Sequence, residues 1–312
     1  MLNDILPQSL IAPISLLAYK DLCEIRLRLN RPITVNYKNS FYYLGEGGLC
    51  NERNAIVCTK DMLQTALSKA SNFSIYSINE EIKQGFITAI GGIRIGVVGD
   101  VVFENEKILT IKNFSSINIR IPHQVNGCAY NVAKFVFDEN GRVINTLIIG
   151  SPSTGKTTIL RDLCNQIYAQ KKDCNILLLD ERMEIASCLN GVPQLNVGGA
   201  TDVISGGEKS QNIINGLRSM APDLIVIDEI GSPNDVRAVE YAMNCGVSIV
   251  ATLHCKNISE LIKKDALKNL LANKSFGRIV ELSNSKGKGT VENVYDETYR
   301  PLLRFLWLRL HC

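Results

Sequence analysis

GSPSTGKT, residues 150–157, is the stretch of this sequence that most constrains its fold. It fits the pattern G-x-x-x-x-G-K-[ST] at every fixed position. The apolar run at residues 143–149 precedes it and is typical of a strand, and residues 157–170 follow with a helix pattern. A strand, a glycine turn and a helix in this order are the setting in which the pattern binds phosphate. We therefore predict a P-loop that binds ATP.

Each fixed position of the loop has a physical role. The glycines let the backbone curl so that successive N–H groups face a phosphate, and the following helix adds partial positive charge there. Lys156 would reach the β- and γ-phosphates, and the Thr157 hydroxyl would bind Mg²⁺. The expected cofactors are thus ATP and Mg²⁺. The predicted nucleotide-binding residues are Gly150, Ser151, Pro152, Ser153, Thr154, Gly155, Lys156, Thr157 and Thr158.

Downstream, the apolar run at residues 224–227 ends in Asp228-Glu229. A P-loop needs an acidic partner for Mg²⁺ and a group that orients the attacking water. We assign Asp228 to the magnesium site, with Thr157, and Glu229 to the water. The alternative is that Asp228 and Glu229 are simply solvated at the end of a strand. That alternative gives no reason for an apolar block to end in Asp-Glu downstream of a P-loop.

A second acidic strand end, Asp180-Glu181, follows the apolar run at residues 175–179. Carboxyl ends of neighbouring strands in a doubly wound sheet line one crevice. Asp180 and Glu181 are therefore second candidates for the water or for Mg²⁺, with Glu181 the alternative catalytic acid. A capping or surface role for this pair is equally compatible with the sequence. His254 follows another strand run and would sense the γ-phosphate, although a lone histidine is more often structural.

The second half of the chain has the texture of a parallel α/β domain, with helices on both faces of the sheet. Strands buried on both faces are continuous apolar blocks. The strand runs are 143–149, 175–179, 224–227 and 248–252, and the clearest helix patterns are 157–170 and 235–245. The first half mixes short strand and helix patterns, which predicts a smaller α+β domain. We place the domains at residues 1–135 and 136–312.

Composition limits the class of protein. The chain has 312 residues, is 46% hydrophobic and carries a net charge of +3, so it is globular and lacks the strongly basic balance of nucleic-acid binders. Its ten cysteines show no metal-ligand spacing, and no signal peptide or membrane span is recognisable. We expect a cytoplasmic protein. The apolar run at 302–310 predicts a final packed helix or strand, with a membrane-surface segment as the alternative.

The stretch ISGGEK at residues 204–209 resembles the signature loop of ABC transporter ATPases. The spacing from Ser205 to Asp228 agrees with that family. The distance from Lys156 to Ser205 is too short for the helical subdomain that carries the signature there, and the residues after Glu229 differ. We disfavour the ABC interpretation and assign residues 198–209 no role.

A broader resemblance covers almost the whole chain. The sequence resembles the stage III sporulation protein AA family, which is related to the hexameric ATPases of type II and type IV secretion. The motifs that carry the resemblance are EIRLRLNRP (24–32), YSINEEIKQGFIT (76–88), GGIRIGVVG (91–99), SSINIRIPH (115–123), the P-loop, DERMEIA (180–186), GVPQ (191–194), LRSMAPDLIVIDEIG (217–231) and KGKGTVENVYD (286–296).

The resemblance implies a RecA-like P-loop ATPase domain in a subunit that assembles as a homohexameric ring. It implies a partner too, a membrane-embedded channel or export complex that operates between mother cell and forespore. Arg94 and Arg120 stand where the first-domain arginines of secretion ATPases reach the phosphates, and a surface salt bridge is their alternative. One departure is Asp228, because secretion ATPases usually carry glycine there. A nucleotide-gated scaffold with little turnover and, less in keeping with the charge, a nucleic-acid motor remain alternatives.

Overall fold

The structure is a computed structural model that describes residues 1–71, 79–83, 85–104 and 106–302. The chain divides into two compact units. The first comprises Met1–His123 and Ser187–Gln194, and the second comprises Gln124–Ala186 and the described residues from Leu195 onward. This division falls before the predicted boundary at residue 135. Backbone N–H groups of Gly127 and Ala129 donate to the Asp162 carboxylate at 3.1 and 2.8 Å. These hydrogen bonds connect the segment just before residue 135 to the second unit.

The first unit is built on an antiparallel sheet with helices packed on one face. Its helices are α1 (Gln8–Ser15), α2 (Lys60–Ala70) and α3 (Asn79–Lys83). Its strands are β1 (Leu22–Arg28), β2 (Thr34–Tyr37), β3 (Ser40–Gly45), β4 (Gly48–Cys50), β5 (Phe86–Ala89), β6 (Ile93–Glu104) and β7 (Lys107–Arg120). They lie in the order β4-β3-β2-β1-β7-β6-β5.

Alternation along the strands separates the two faces of this sheet. Ile25 and Leu27 of β1 are fully buried and belong to one core with Leu67 of α2. The alternate positions point to the other face and carry polar side chains in β1 (Glu24, Arg26, Arg28) and in the last part of β7 (Ser116, Asn118, Arg120), as the two-residue period of a half-buried strand requires. Arg94 and Arg120 are direct partners in the β6–β7 register, so they lie side by side on this polar face.

The second unit contains the predicted parallel sheet. Its strands are β8 (Thr146–Gly150), β9 (Ile176–Asp180), β10 (Thr201–Ser205), β11 (Leu224–Ile227), β12 (Ser248–His254), β13 (Arg278–Ser283) and β14 (Thr290–Tyr295). The order is β10-β9-β11-β12-β8-β13-β14, and only the β13–β14 pair is antiparallel. The helices are α4 (Tyr130–Ala133), α5 (Lys156–Gln170), α6 (Lys209–Met220), α7 (Pro233–Asn244), α8 (Ile258–Leu261) and α9 (Lys268–Ala272).

Helices cover both faces of this sheet, and the fold-class prediction is confirmed. Alternate strand residues such as Ile227 share a core with Val239 of α7 and Ile213 of α6. Helix α5 packs against β8 and β12 on the opposite face. The parallel register aligns Gly150 with His254 and Ile227 with Leu179. The P-loop and both acidic strand ends therefore meet at one edge of the sheet.

Two details differ from the sequence-based expectation. Strand β8 begins at Thr146, because Val143 instead forms a bridge with Phe137 upstream. Strand β10 lies inside residues 198–209, which carried no prediction, because an edge strand with mixed burial lacks the continuous apolar signal.

The predicted C-terminal helix or strand falls largely on residues 303–312, outside the described residues. In the part of the chain that the structure describes, no helix is both long and apolar enough to cross a membrane.

Candidate nucleotide site

The P-loop links the last residue of β8, Gly150, to the first residue of α5, Lys156. A Cβ at Gly150 would lie 2.6 Å from Thr154 Oγ1 and 3.0 Å from the Leu282 carbonyl oxygen, so a larger residue would not fit. Gly155 has φ +90°, in the left-handed region that glycine adopts without strain. The backbone thus takes the tight curl that a phosphate requires.

Residues from three strand ends share one cleft of about 400 Å³ with the loop. Its lining consists of Pro152, Ser153, Gly155, Lys156, Thr157, Thr158, Arg182, Glu184, Asp228, Glu229, Thr252, His254 and Lys288. The cleft therefore brings most of the predicted loop residues together with Asp228, Glu229 and His254. It does not include Glu181, which lines an adjoining pocket.

The Lys156 side chain is folded back onto its own loop. Its Nζ donates to the carbonyl oxygens of Gly150 (2.7 Å) and Ser151 (2.9 Å), and the residue is only 7% exposed. Burial lowers the pKa of Lys156, and the carboxylates of Glu229 and Asp228 oppose that shift. Both carboxylates line the same cleft as the lysine.

Asp228 lies between two hydroxyl groups. Thr157 Oγ1 donates to its Oδ2 and Thr252 Oγ1 to its Oδ1, each at 3.3 Å. Burial is the main cause that raises the pKa of Asp228, and the nearby Asp180 raises it further. A buried carboxylate beside a threonine hydroxyl offers hard oxygen ligands for Mg²⁺, which usually keeps several water or phosphate ligands. These residues fit magnesium.

This site would be sparse in protein ligands. Among the described residues, no group of three or more His, Cys, Asp or Glu side chains is arranged to hold a metal ion. Mg²⁺ at phosphate sites is commonly held by one or two protein ligands plus the substrate. The pair Thr157 and Asp228 matches that pattern.

Glu229 has an unusual backbone, and its carboxylate lies between a histidine ring and a guanidinium group. Its φ is +63°, which is rare for a residue other than glycine. Its N–H donates to Thr252 Oγ1 at 3.0 Å, and its carboxylate Oε2 lies 3.5 Å from His254 Nε2 and 3.8 Å from Arg182 Nη2. The structure thus places His254 directly beside the candidate catalytic acid.

The strand end Asp180-Glu181 is arranged differently. Asp180 is 1% exposed, and its carboxylate accepts backbone N–H groups of Glu184, Ile185 and Ala186 at 2.8 to 3.2 Å. It therefore organises the following loop. Glu181 is half-exposed, and its Oε2 forms an ion pair with Lys209 Nζ at 2.9 Å.

Arg94 and Arg120 belong to the first unit. Arg94 lies near the start of β6, with its guanidinium 3.7 Å from the centroid of the Phe86 ring. Arg120 is the last residue of β7. Two adjacent arginines on one sheet face can bind phosphate oxygens through planar, always-charged groups. Their contact with a nucleotide stays a prediction.

Three cationic residues of the second unit lie in or next to the cleft and were not predicted from the sequence. Arg182 and Lys288 line the cleft, and Lys209 contacts the backbone of Glu229. Lys288 comes from the β13–β14 turn, where the Gly289 N–H donates to the Thr154 carbonyl oxygen at 2.8 Å. The signal available for Lys288 was a lysine between two glycines in KGKGT. Nothing local marked Lys209, because its role depends on long-range packing.

The sheet, the P-loop and the acidic strand ends define a RecA-like P-loop NTPase fold. Solved structures share it. The pilus retraction motor PilT with bound ADP matches with a TM-score of 0.57 at 13% identity, over 86% of this chain and 76% of that chain. The ATPase DotB of Legionella pneumophila matches with a TM-score of 0.54 at 13% identity, over 83% and 72%. At such identities the likeness concerns the fold alone.

The sequence profile described as "Sporulation stage III, protein AA" matches residues 5–302, and the chain belongs to this family. Stage III sporulation protein AA of Bacillus subtilis (strain 168) is 36% identical over 309 residues, which covers 96% of each chain. Protein SEEDLING PLASTID DEVELOPMENT 1 of Arabidopsis thaliana is 25% identical over 256 residues, which covers 81% of this chain and 33% of that protein. The resemblance inferred from the motifs is confirmed.

Proposed function

We propose that this protein binds Mg-ATP and hydrolyses it, as a ring-forming ATPase of the secretion type that acts during sporulation. The observation that carries the proposal is that Lys156, Asp228 and Glu229 line one cleft. A phosphate cradle, an oxygen site for Mg²⁺ and a carboxylate for water are the parts that P-loop hydrolysis requires.

Each part has a residue in this chain. The loop N–H groups and Lys156 would hold the phosphates, and Thr157 with Asp228 would hold Mg²⁺, which when bound neutralises charge on the phosphate oxygens. Glu229 would orient the attacking water and accept its proton. We favour Glu229 over Glu181 for this role, because Glu229 lines the cleft whereas Glu181 pairs with Lys209 outside it.

The wider assignment rests on the family and on the fold shared with secretion and pilus ATPases. We propose a cytoplasmic homohexamer that docks on membrane-embedded channel or export proteins of the sporulating cell. No nucleic-acid partner is expected, because the net charge of +3 is nearly balanced.

A steady-state ATPase assay on the purified full chain tests the proposal. We expect Mg²⁺-dependent turnover that Lys156→Ala abolishes together with most ATP affinity, because the variant removes the charge that faces the phosphates. Calorimetric ATP binding without measurable turnover would instead support the nucleotide-gated scaffold. Equal ATP affinity in wild type and Lys156→Ala would contradict the site itself.

The role of the first unit can be tested separately. If Arg94 and Arg120 reach the γ-phosphate during turnover, Arg94→Ala and Arg120→Ala should each lower turnover by about 10³-fold, the scale of an arginine that stabilises phosphoryl transfer. Arg28→Ala is the matched control, since Arg28 lies on β1 of the same sheet. Near-normal turnover in both variants would restrict the first unit to docking.

A further inference from the structure

Lys209, the first residue of α6, buries its charge next to the candidate catalytic acid. The residue is 7% exposed, and its Nζ donates to the Glu229 carbonyl oxygen at 2.6 Å. Glu181 Oε2 lies 2.9 Å from the same Nζ, and Asp235 Oδ2 lies 4.0 Å away. A lysine is rarely buried to this degree unless it is paired, and here Glu181 and Asp235 supply the opposite charges.

The backbone that Lys209 contacts is strained. Glu229 has φ +63°, and a left-handed conformation in a residue with a long side chain must be held by its surroundings. Two hydrogen bonds hold it here, one on each side of the residue. Thr252 Oγ1 accepts from the N–H, and Lys209 Nζ donates to the C=O.

Asp235 extends this hold to the residues that follow. Its Oδ2 accepts the N–H groups of Gly231 (3.1 Å) and Ser232 (2.8 Å), while Lys209 lies at the same oxygen. Lys209 therefore contacts the segment from Glu229 to Ser232 directly at one end and through Asp235 at the other. The φ of Glu229 sets the direction of its Cα–Cβ bond, so the same contacts direct its carboxylate toward His254.

We propose that Lys209 is a positioning residue for catalysis, which fixes the Glu229 backbone so that the carboxylate points into the nucleotide cleft. This inference rests on the proposed function. In it, Glu181 acts on the reaction only through Lys209, whereas Asp235 also holds Gly231 and Ser232 directly. A lysine that stabilises the fold alone would make the same contacts, so the test must separate the two roles.

The test compares Lys209→Met with the exposed-lysine control Lys172→Met in the full chain. We expect Lys209→Met to lower kcat by about 10- to 100-fold, the scale of a lost hydrogen bond from a charged donor. The Kd for ATP should stay within about twofold, because Lys209 is not among the residues that line the P-loop cleft. Lys209→Gln, which keeps an amide donor, should retain more turnover than Lys209→Met.

Coupling to Glu229 is the readout that a purely structural role would not produce. In a Glu229→Gln background, Lys209→Met should cause no further loss in a single-turnover assay, because both changes remove the same function. An equal loss in both backgrounds, or an unchanged kcat with a folded variant, would overturn the positioning role. Lysine variants that weaken ATP binding in proportion to turnover would overturn it too. Absence of wild-type turnover would contradict the proposed function, and this inference with it.

Discussion

Two neighbouring parallel strands of this protein, β9 and β11, end in the same dipeptide, Asp-Glu, and the two pairs have different environments. After β9, the Asp180 carboxylate accepts backbone N–H groups of its own loop, and Glu181 pairs with a lysine. After β11, Asp228 meets two threonine hydroxyls, and Glu229 lies beside His254.

This difference indicates that the residues around a strand end determine whether its carboxylates are available to bind a cation. The loop after Asp180 turns back over it and satisfies the charge with amides, which leaves little capacity for a metal ion. Asp228 accepts the hydroxyl groups of Thr157 and Thr252, and its raised pKa reflects a charge that burial disfavours. A carboxylate in that state gains from a cation, whereas Asp180 already has its stabilising partners.

The largest effect should come from the structural carboxylate. Asp180→Ala would leave the loop amides of Glu184, Ile185 and Ala186 without their acceptor, near the buried Arg161 guanidinium that donates to the same loop. We expect a loss of about 3–5 kcal/mol in the free energy of unfolding, the range for breaking a buried charged network. Chemical denaturation measures it. If the free energy of unfolding fell by no more than in an ordinary surface substitution, Asp180 would lack the structural role that distinguishes it from Asp228.

Asp228→Asn should raise the stability of the fold, whereas Asp180→Ala should lower it. The pKa of Asp228 in the folded state is raised above its ordinary value of 3.8, so the fold favours the protonated carboxyl group. The stability that the protonated group contributes is present at low pH and is lost as the pH rises through the folded-state pKa. The variant cannot ionise and should melt at a higher temperature than wild type at neutral pH without nucleotide. The gain should shrink at pH values below the ordinary pKa. A lower melting temperature at neutral pH would contradict this account of Asp228.

The smallest effect should come from Lys288, at the rim of the same cleft. Its side chain is exposed, so Lys288→Ala should weaken ATP binding by about two- to fivefold, as expected for a solvent-screened charge. Lys286→Ala is the matched control on the same turn, because Lys286 does not line the cleft. Equal affinities for the two variants would confine the site to the loop and the β11 strand end.

Much of this architecture was predictable because the signals are local. The glycines of GSPSTGKT predict the turn, and the apolar patterns on either side of it predict the strand and the helix. The apolar run at 224–227 coincides with β11 (Leu224–Ile227). Parallel strands place their carboxyl ends at one edge, so the meeting of the P-loop with Asp228, Glu229 and His254 also followed from the sequence.

The remainder depends on packing between distant segments. The sequence could not tell that the loop after Asp180 folds back onto its carboxylate, nor that Lys209 reaches the Glu229 carbonyl oxygen from another helix. It also could not identify the strained backbone of Glu229, since no residue type at that position demands a positive φ. These contacts add support to Glu229 over Glu181 as the proposed catalytic acid, a preference that the Asp-Glu pair at 228–229 already gave.

The central claim is that the Glu of the β11 strand end performs chemistry and the Glu of the β9 strand end does not. Turnover of Mg-ATP by Glu229→Gln and Glu181→Gln, measured side by side with ATP affinity, tests it most directly. The account predicts a loss of about 10²- to 10⁴-fold for Glu229→Gln with binding retained, the range for a lost general base, and a loss below about tenfold for Glu181→Gln. Unchanged turnover in Glu229→Gln together with abolished turnover in Glu181→Gln would contradict it.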